Sequence, residues 1–160
     1  MSLPPALDAF LGAIEAAPPV VALKDSFLAY PLVNTLHIVG IALLFGAIVP
    51  LDLRLIGWRR GSASVDALSR TLVPMAVTGL GLAVPAGLLL FATDARAYAA
   101  APLFQAKLLL IVLAIANALT LRRIDWRAPR PSRRVAFAGA ASILLWLGAI
   151  VCGRLLGYIE

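Results

Sequence analysis

Long apolar runs broken by short basic stretches dominate the chain. Four windows carry about 20 or more consecutive mostly apolar residues, the length needed to cross a hydrocarbon layer. They cover about residues 30–56 (YPLVNTLHIVGIALLFGAIVPLDLRLI), 72–93, 103–121 and 135–158. An isolated strand in lipid would leave its backbone groups unpaired, so each window predicts a helix. Ahead of them, Leu3, Leu7, Phe10, Leu11 and Ile14 follow helical spacing, with Asp8, Gly12 and Glu15 opposite. This pattern predicts a short amphipathic helix lying at the membrane interface, capped by Ser2, opened by Pro4 and Pro5, and ended by Pro18 and Pro19. The expected fold is all-α: a four-helix transmembrane bundle over residues 20–160, preceded by an amphipathic interfacial helix over residues 1–19. The first stretch lacks a basic leader, and Asp8 and Glu15 interrupt its apolar part, so it does not read as a signal peptide.

Prolines and small residues refine the helices. Pro50 and Pro85 each remove a backbone donor inside a window, whereas Pro74 suits a first helical turn. Gly79, Gly81, the pair Ala83 and Gly87, and the GxxxG of Gly153 and Gly157 allow close approach of helix backbones, read here as packing within the bundle.

Composition agrees. Of 160 residues, 62% are hydrophobic and 14% charged, against roughly half and a quarter in soluble domains. The mean hydropathy is +0.96. Ten of the fourteen basic residues fall in the loops after the first and third windows, residues 57–71 and 122–134, or at their borders. With four spans these loops share a side. The positive-inside rule makes that side cytoplasmic and sets both termini outside, in the periplasm of a Gram-negative host. The net charge of +6 is then spent on lipid and orientation, and no nucleic-acid partner is expected. The lipid bilayer is the expected partner, with a homo-oligomer or larger membrane complex left open. Cys152 is the single cysteine, so it forms no internal disulfide and reads as apolar filler.

Candidate chemistry falls into two layers. The outer one holds Asn34, Thr35 and His37 in the first window, Asp94 and Arg96 after the second, Gln105 and Lys107 opening the third, and Arg154 near the end of the fourth. His37 is the only histidine, roughly 10 Å below the start of its helix. A pocket shared by His37, Lys107, Asn34 and Arg154 is one reading; snorkelling of Lys107 and Arg154 to the headgroups is the other. The inner layer is built on Asp52 and Arg54. Asp52 sits roughly 22 Å along the axis from His37, out of its reach, and is expected to pair with Arg122, Arg123 or Arg134. Asn117 and Thr78 can hydrogen-bond across the bundle. Hydrolytic chemistry lacks its parts: there is no second histidine, no carboxylate pair at one depth and no phosphate-cradling loop.

Certain short motifs carry a resemblance. His37-Ile-Val-Gly40 precedes Asp52-Leu-Arg54-Leu-Ile-Gly57, then Phe104-Gln-Ala-Lys107-Leu-Leu-Leu with Asn117, then Gly153-Arg-Leu-Leu-Gly157-Tyr158. From about residue 22 the chain resembles a family of small bacterial four-helix inner-membrane proteins that carry a domain-of-unknown-function label. It is distantly similar to the membrane domain of the copper-resistance protein D group, and more loosely to cytochrome b561-like bundles. The first likeness implies copper handling, the second haem b. The chain departs from both: bis-histidine haem needs two imidazoles, Met75 lies at the wrong depth for a His–Met pair, and His37 with Cys152 is an incomplete copper site. Three functions stand open: an accessory membrane subunit with an outer polar pocket, a copper- or haem-handling protein using His37, and a solute or proton pathway.

Overall fold

A computed structural model describes residues 3–58, 65–121 and 132–159. Seven helices follow one another: α1 (Pro5–Glu15), α2 (Pro18–Asp25), α3 (Ala29–Ile56), α4 (Val65–Thr93), α5 (Ala95–Ala100), α6 (Pro102–Leu121) and α7 (Arg133–Ile159). No strand occurs among the described residues. Four of the helices, α3, α4, α6 and α7, are long and apolar enough to cross a membrane, which makes this a multi-pass membrane protein. The shortest, α6, has 20 residues and so spans about 30 Å, the thickness of a hydrocarbon core.

The bundle is held at three faces. α3 packs on α4 and on α7, and α7 packs on α6, while the Cα atoms of α4 and α6 come no closer than 8 Å. Leu44, Ala114 and Trp146 meet at the centre, with Leu80 of α4 against them. Only 6% of the α6 window and 17% of the α3 window are buried. That much outward apolar surface is stable in lipid and not in water.

The tightest face lies between α3 and α4. A Cβ on Gly40 would sit 2.6 Å from the Ala83 nitrogen and 2.8 Å from the Gly79 oxygen. Gly79, Ala83 and Gly87 repeat every four residues and line one side of α4, so the two backbones meet there. Gly157 and Gly81 have nothing within 4 Å of an added Cβ. The GxxxG of α7 therefore does not bring two helix backbones together at Gly157, and Gly153 instead receives a lysine side chain.

Boundaries depart from the sequence reading in three places. Pro18 and Pro19 do not end the N-terminal structure. α1 stops at Glu15, and the two prolines open α2 at its first positions, bent by 60° from α1; proline fits a first turn because the amide there lacks a helical partner anyway. α4 begins at Val65, so Pro74 lies inside it and not in its first turn. Asp66, Ser69 and Arg70 lower the hydropathy of that stretch, yet Asp66 and Arg70 pair at 2.9 Å and Ser69 bonds back to the Asp66 carbonyl. Ser2, the expected cap, lies outside the described residues. At the other end of α3, Gly57 closes the helix at φ 97°, with its N–H on Arg54 and that of Trp58 on Leu53. Only glycine adopts that left-handed turn readily.

The short helices gather at the end of the bundle where α3 begins and α4 ends. α1 and α2 pack on α4, and α1 also packs on α5, burying Leu11, Val20, Leu23 and Ala95. Phe104 of α6 stacks on Phe91 of α4 at 5.2 Å, and Tyr98 of α5 tilts against both. Glu15 fastens this cover. Its Oε1 accepts from the Arg96 backbone N–H at 2.8 Å, and its Oε2 accepts from Nε at 2.9 Å and Nη2 at 2.7 Å. The Arg96 side chain holds the Glu15 carboxyl below its ordinary value. A lowered carboxyl favours the folded contact above the usual carboxylate range and loses it as pH falls through the lowered value. Protection of α1 amides against hydrogen exchange, relative to the intrinsic rate at each pH, should therefore fall on acidification, and Arg96→Met should produce the same loss of protection at neutral pH. Protection that is indifferent to both changes would remove Glu15 as the fastening.

Candidate functional site

The polar layer draws its residues from α3, α6 and α7 and from the segment after α4, and each helix sets its phase. His37 lies on α3 three residues before Gly40, on the side that meets α4. Its Nδ1 is 2.7 Å from the Ala83 carbonyl oxygen. A carbonyl only accepts, so Nδ1 carries the hydrogen, and in the neutral ring Nε2 keeps its lone pair. The ring rests over Gly87, where a Cβ would come 2.8 Å from Cε1. A side chain at position 87 would push the imidazole off its carbonyl.

Lys107 approaches from α6. Its side chain is half-buried and runs along α7, where a Cβ on Gly153 would sit 3.1 Å from Nζ. Lys107 interacts electrostatically with Cys152 of α7 and with His37. Among the described residues its ammonium has no hydrogen-bonding or ion-pair partner. A lysine at this depth usually extends to the headgroups, so an inward one marks a place where a polar group is received.

The other two outer candidates point elsewhere. Arg154 is exposed; its Nη2 donates to the Tyr158 hydroxyl at 2.6 Å, and its guanidinium lies 4.6 Å from that ring centre. Asn34 is exposed as well. Thr35 bonds back to the Pro31 carbonyl, and Gln105 to that of Ala99. Lys107 thus lies against Gly153 of α7, beside Cys152 in sequence and within electrostatic range of His37, whereas Asn34 and Arg154 are exposed. Met75 is exposed on α4. No cluster of three or more His, Cys, Asp or Glu among the described residues is placed to hold a metal ion.

In the inner layer Asp52 is 3% exposed, and its carboxyl lies close enough to Ser142 of α7 to feel its hydroxyl. Arg134, one expected partner, is exposed at the start of α7, and Arg122 and Arg123 lie outside the described residues. Arg54 is half-buried in the last turn of α3. Asn117 donates to the Ala138 carbonyl at 2.9 Å and ties α6 to α7, whereas Thr78 faces outward.

Three participants escaped the sequence reading: the Ala83 carbonyl, the Gly87 cradle and the Lys107 berth at Gly153. The four-residue repeat of Gly79, Ala83 and Gly87 was the available signal for the first two. Comparison with protein-family models, with curated proteins and with solved structures finds no match for this chain.

Proposed function

We propose that the protein is an accessory subunit of the bacterial inner membrane whose outer polar layer holds a membrane-dissolved molecule by an acceptor oxygen, either a quinone carbonyl or a lipid phosphate. The observation that carries this reading is the inward Lys107 ammonium, without an acceptor among the described residues, in the layer of an imidazole locked by Ala83. Lys107 donates to the oxygen. His37 presents Nε2, as acceptor for a ligand hydroxyl when neutral and as a second donor when protonated. Extraction of protein purified in mild detergent tests the reading. The ligand is expected at near-stoichiometric amount, as a quinone in one arm or as enriched anionic phospholipid in the other. Protein free of both, and unable to bind either when they are added back, would refute it.

A second reading keeps the copper-resistance or haem likeness. An imidazole whose Nδ1–H is fixed on a carbonyl is arranged as metal-ligating histidines commonly are. A second copy of the chain would have to supply another His37 for haem. A visible haem band or bound copper, lost in His37→Ala, would support it; a colourless, metal-free protein would end it.

Both termini outside is the orientation favoured by the basic inner loops. With Cys152→Ser as background, Asp8→Cys should react with an impermeant thiol reagent from the outer face and Ser132→Cys only from the inner one. The reverse pattern would invert the assignment.

A further inference from the structure

Two buried polar atoms have no hydrogen-bond partner among the described residues: Asp52 Oδ2 and Trp146 Nε1. Their side chains are among the most hidden in the bundle, with Asp52 3%, Ser142 4% and Trp146 6% exposed. Neither atom belongs to the outer layer. Asp52 lies on α3 beside Gly139 of α7, and Trp146 of α7 lies in the central cluster with Leu44 and Ala114. Along α7 the buried positions Val135, Gly139, Ser142, Trp146 and Ala149 follow a spacing of three and four residues, and Leu156 lies seven further on. They form one seam facing the bundle interior.

Helix geometry leans the two side chains toward each other along this seam. A Cβ on Gly139, near the start of α7, would lie 3.0 Å from the Asp52 carbonyl oxygen, near the end of α3; the two helices therefore run antiparallel. Helical side chains lean toward the N-terminus of their own helix. Asp52 thus leans toward the bundle centre, and Trp146 leans back toward Ser142, whose hydroxyl lies near the Asp52 carboxyl. An indole N–H only donates, and a carboxylate oxygen accepts. Water held between the two side chains would accept from Nε1 and donate to Oδ2, and buried waters with about three such partners are ordinary parts of folded proteins.

The geometry points to a hydrated, proton-exchanging site in the inner half of the bundle, in which water held by Asp52, Ser142 and Trp146 passes protons between the Asp52 carboxyl and the inner face. A proton from water bonds to Oδ2 on loading and returns to water on release; no other bond changes. The charged groups on the surrounding elements are Arg54 on α3, Arg133 and Arg134 on α7, and the Asp66–Arg70 pair on α4. α6 offers the uncharged Asn117 and Thr120. Arg59, Arg60, Arg122, Arg123, Asp125, Arg127 and Arg130 lie in the inner loops, outside the described residues. The inference is independent of what the outer layer holds.

Infrared difference spectroscopy on protein reconstituted in lipid tests it, with isotope-labelled aspartate and Asp52→Asn assigning the carboxyl band. The Asp52 band is expected to change with bulk pH and to shift on transfer to heavy water as fast as the buffer mixes. Trp146→Phe, which keeps the ring and removes the donor, should slow that shift by about tenfold, as for the loss of one hydrogen bond to the bridging water. Should Asp52→Asn fail to fold, the labelled band in the wild type and in Trp146→Phe carries the result. A band indifferent to pH and heavy water, or one unaffected by Trp146→Phe, would overturn the proposal.

Discussion

Gly79→Leu should break the bundle at its tightest face. A Cβ at position 79 would fall on the Leu44 nitrogen and within 2.7 Å of the Gly40 oxygen. Both are backbone atoms of α3, so no side chain can rotate aside, and the helices must separate. Overpacking of this kind costs about 1–3 kcal/mol and more where backbone has to move. Separation also draws the Ala83 carbonyl away from His37 Nδ1, so the outer layer loses its fixed imidazole along with stability. Gly81→Leu, two residues away with nothing within 4 Å, should be near neutral, within about 0.5 kcal/mol. Thermal unfolding of the two variants in one detergent gives the comparison. Equal midpoints for both would show that α3 and α4 do not meet as described.

Lys107→Met should remove the ligand from the outer layer while leaving the bundle folded. The substitution keeps an unbranched apolar stem of similar length and deletes the charge. Charge-assisted hydrogen bonds contribute about 1.5–3 kcal/mol, which corresponds to a loss of roughly ten- to a hundredfold in retained ligand. Arg154→Met, one residue beyond Gly153 and turned to Tyr158, should retain ligand as the wild type does. Gly153→Ala separates position from charge, because its Cβ would sit 3.1 Å from Nζ and displace the ammonium without neutralising it. Its loss should lie between that of the wild type and that of Lys107→Met, because the ammonium moves by only a few tenths of an ångström. Equal retention in all four proteins would sink the assignment of Lys107.

The contrast between Lys107 and Arg154 shows where sequence reading stops. Depth along a helix is fixed by counting at about 1.5 Å per residue, so the spans and the separation of His37 from Asp52 were legible. Rotational phase is not. Each residue turns about 100° about the axis, and a window apolar on every side carries no stripe to fix that phase. Gly153 therefore faces Lys107 while its neighbour Arg154 faces away, and nothing in the hydropathy distinguishes them. The start of α4 was hidden differently: its first turns extend past the apolar layer and are held by the Asp66–Arg70 pair, so a hydropathy window trims them. Pro18 and Pro19 were ambiguous in kind, since a proline pair both ends one helix and opens the next. Trp146 escaped because indole counts as apolar until its N–H is found buried without an acceptor.

Lys107 turning inward to meet a ligand oxygen in the layer of His37 is the central feature of the proposed site. Density from the protein in lipid nanodiscs, at a resolution that defines side chains, addresses this directly. The prediction is a bound group with an oxygen within hydrogen-bond distance of Lys107 Nζ, beside an imidazole still held by the Ala83 carbonyl. A lysine extended to the headgroups, with lipid tails or tightly packed side chains filling the space beside His37, would contradict it.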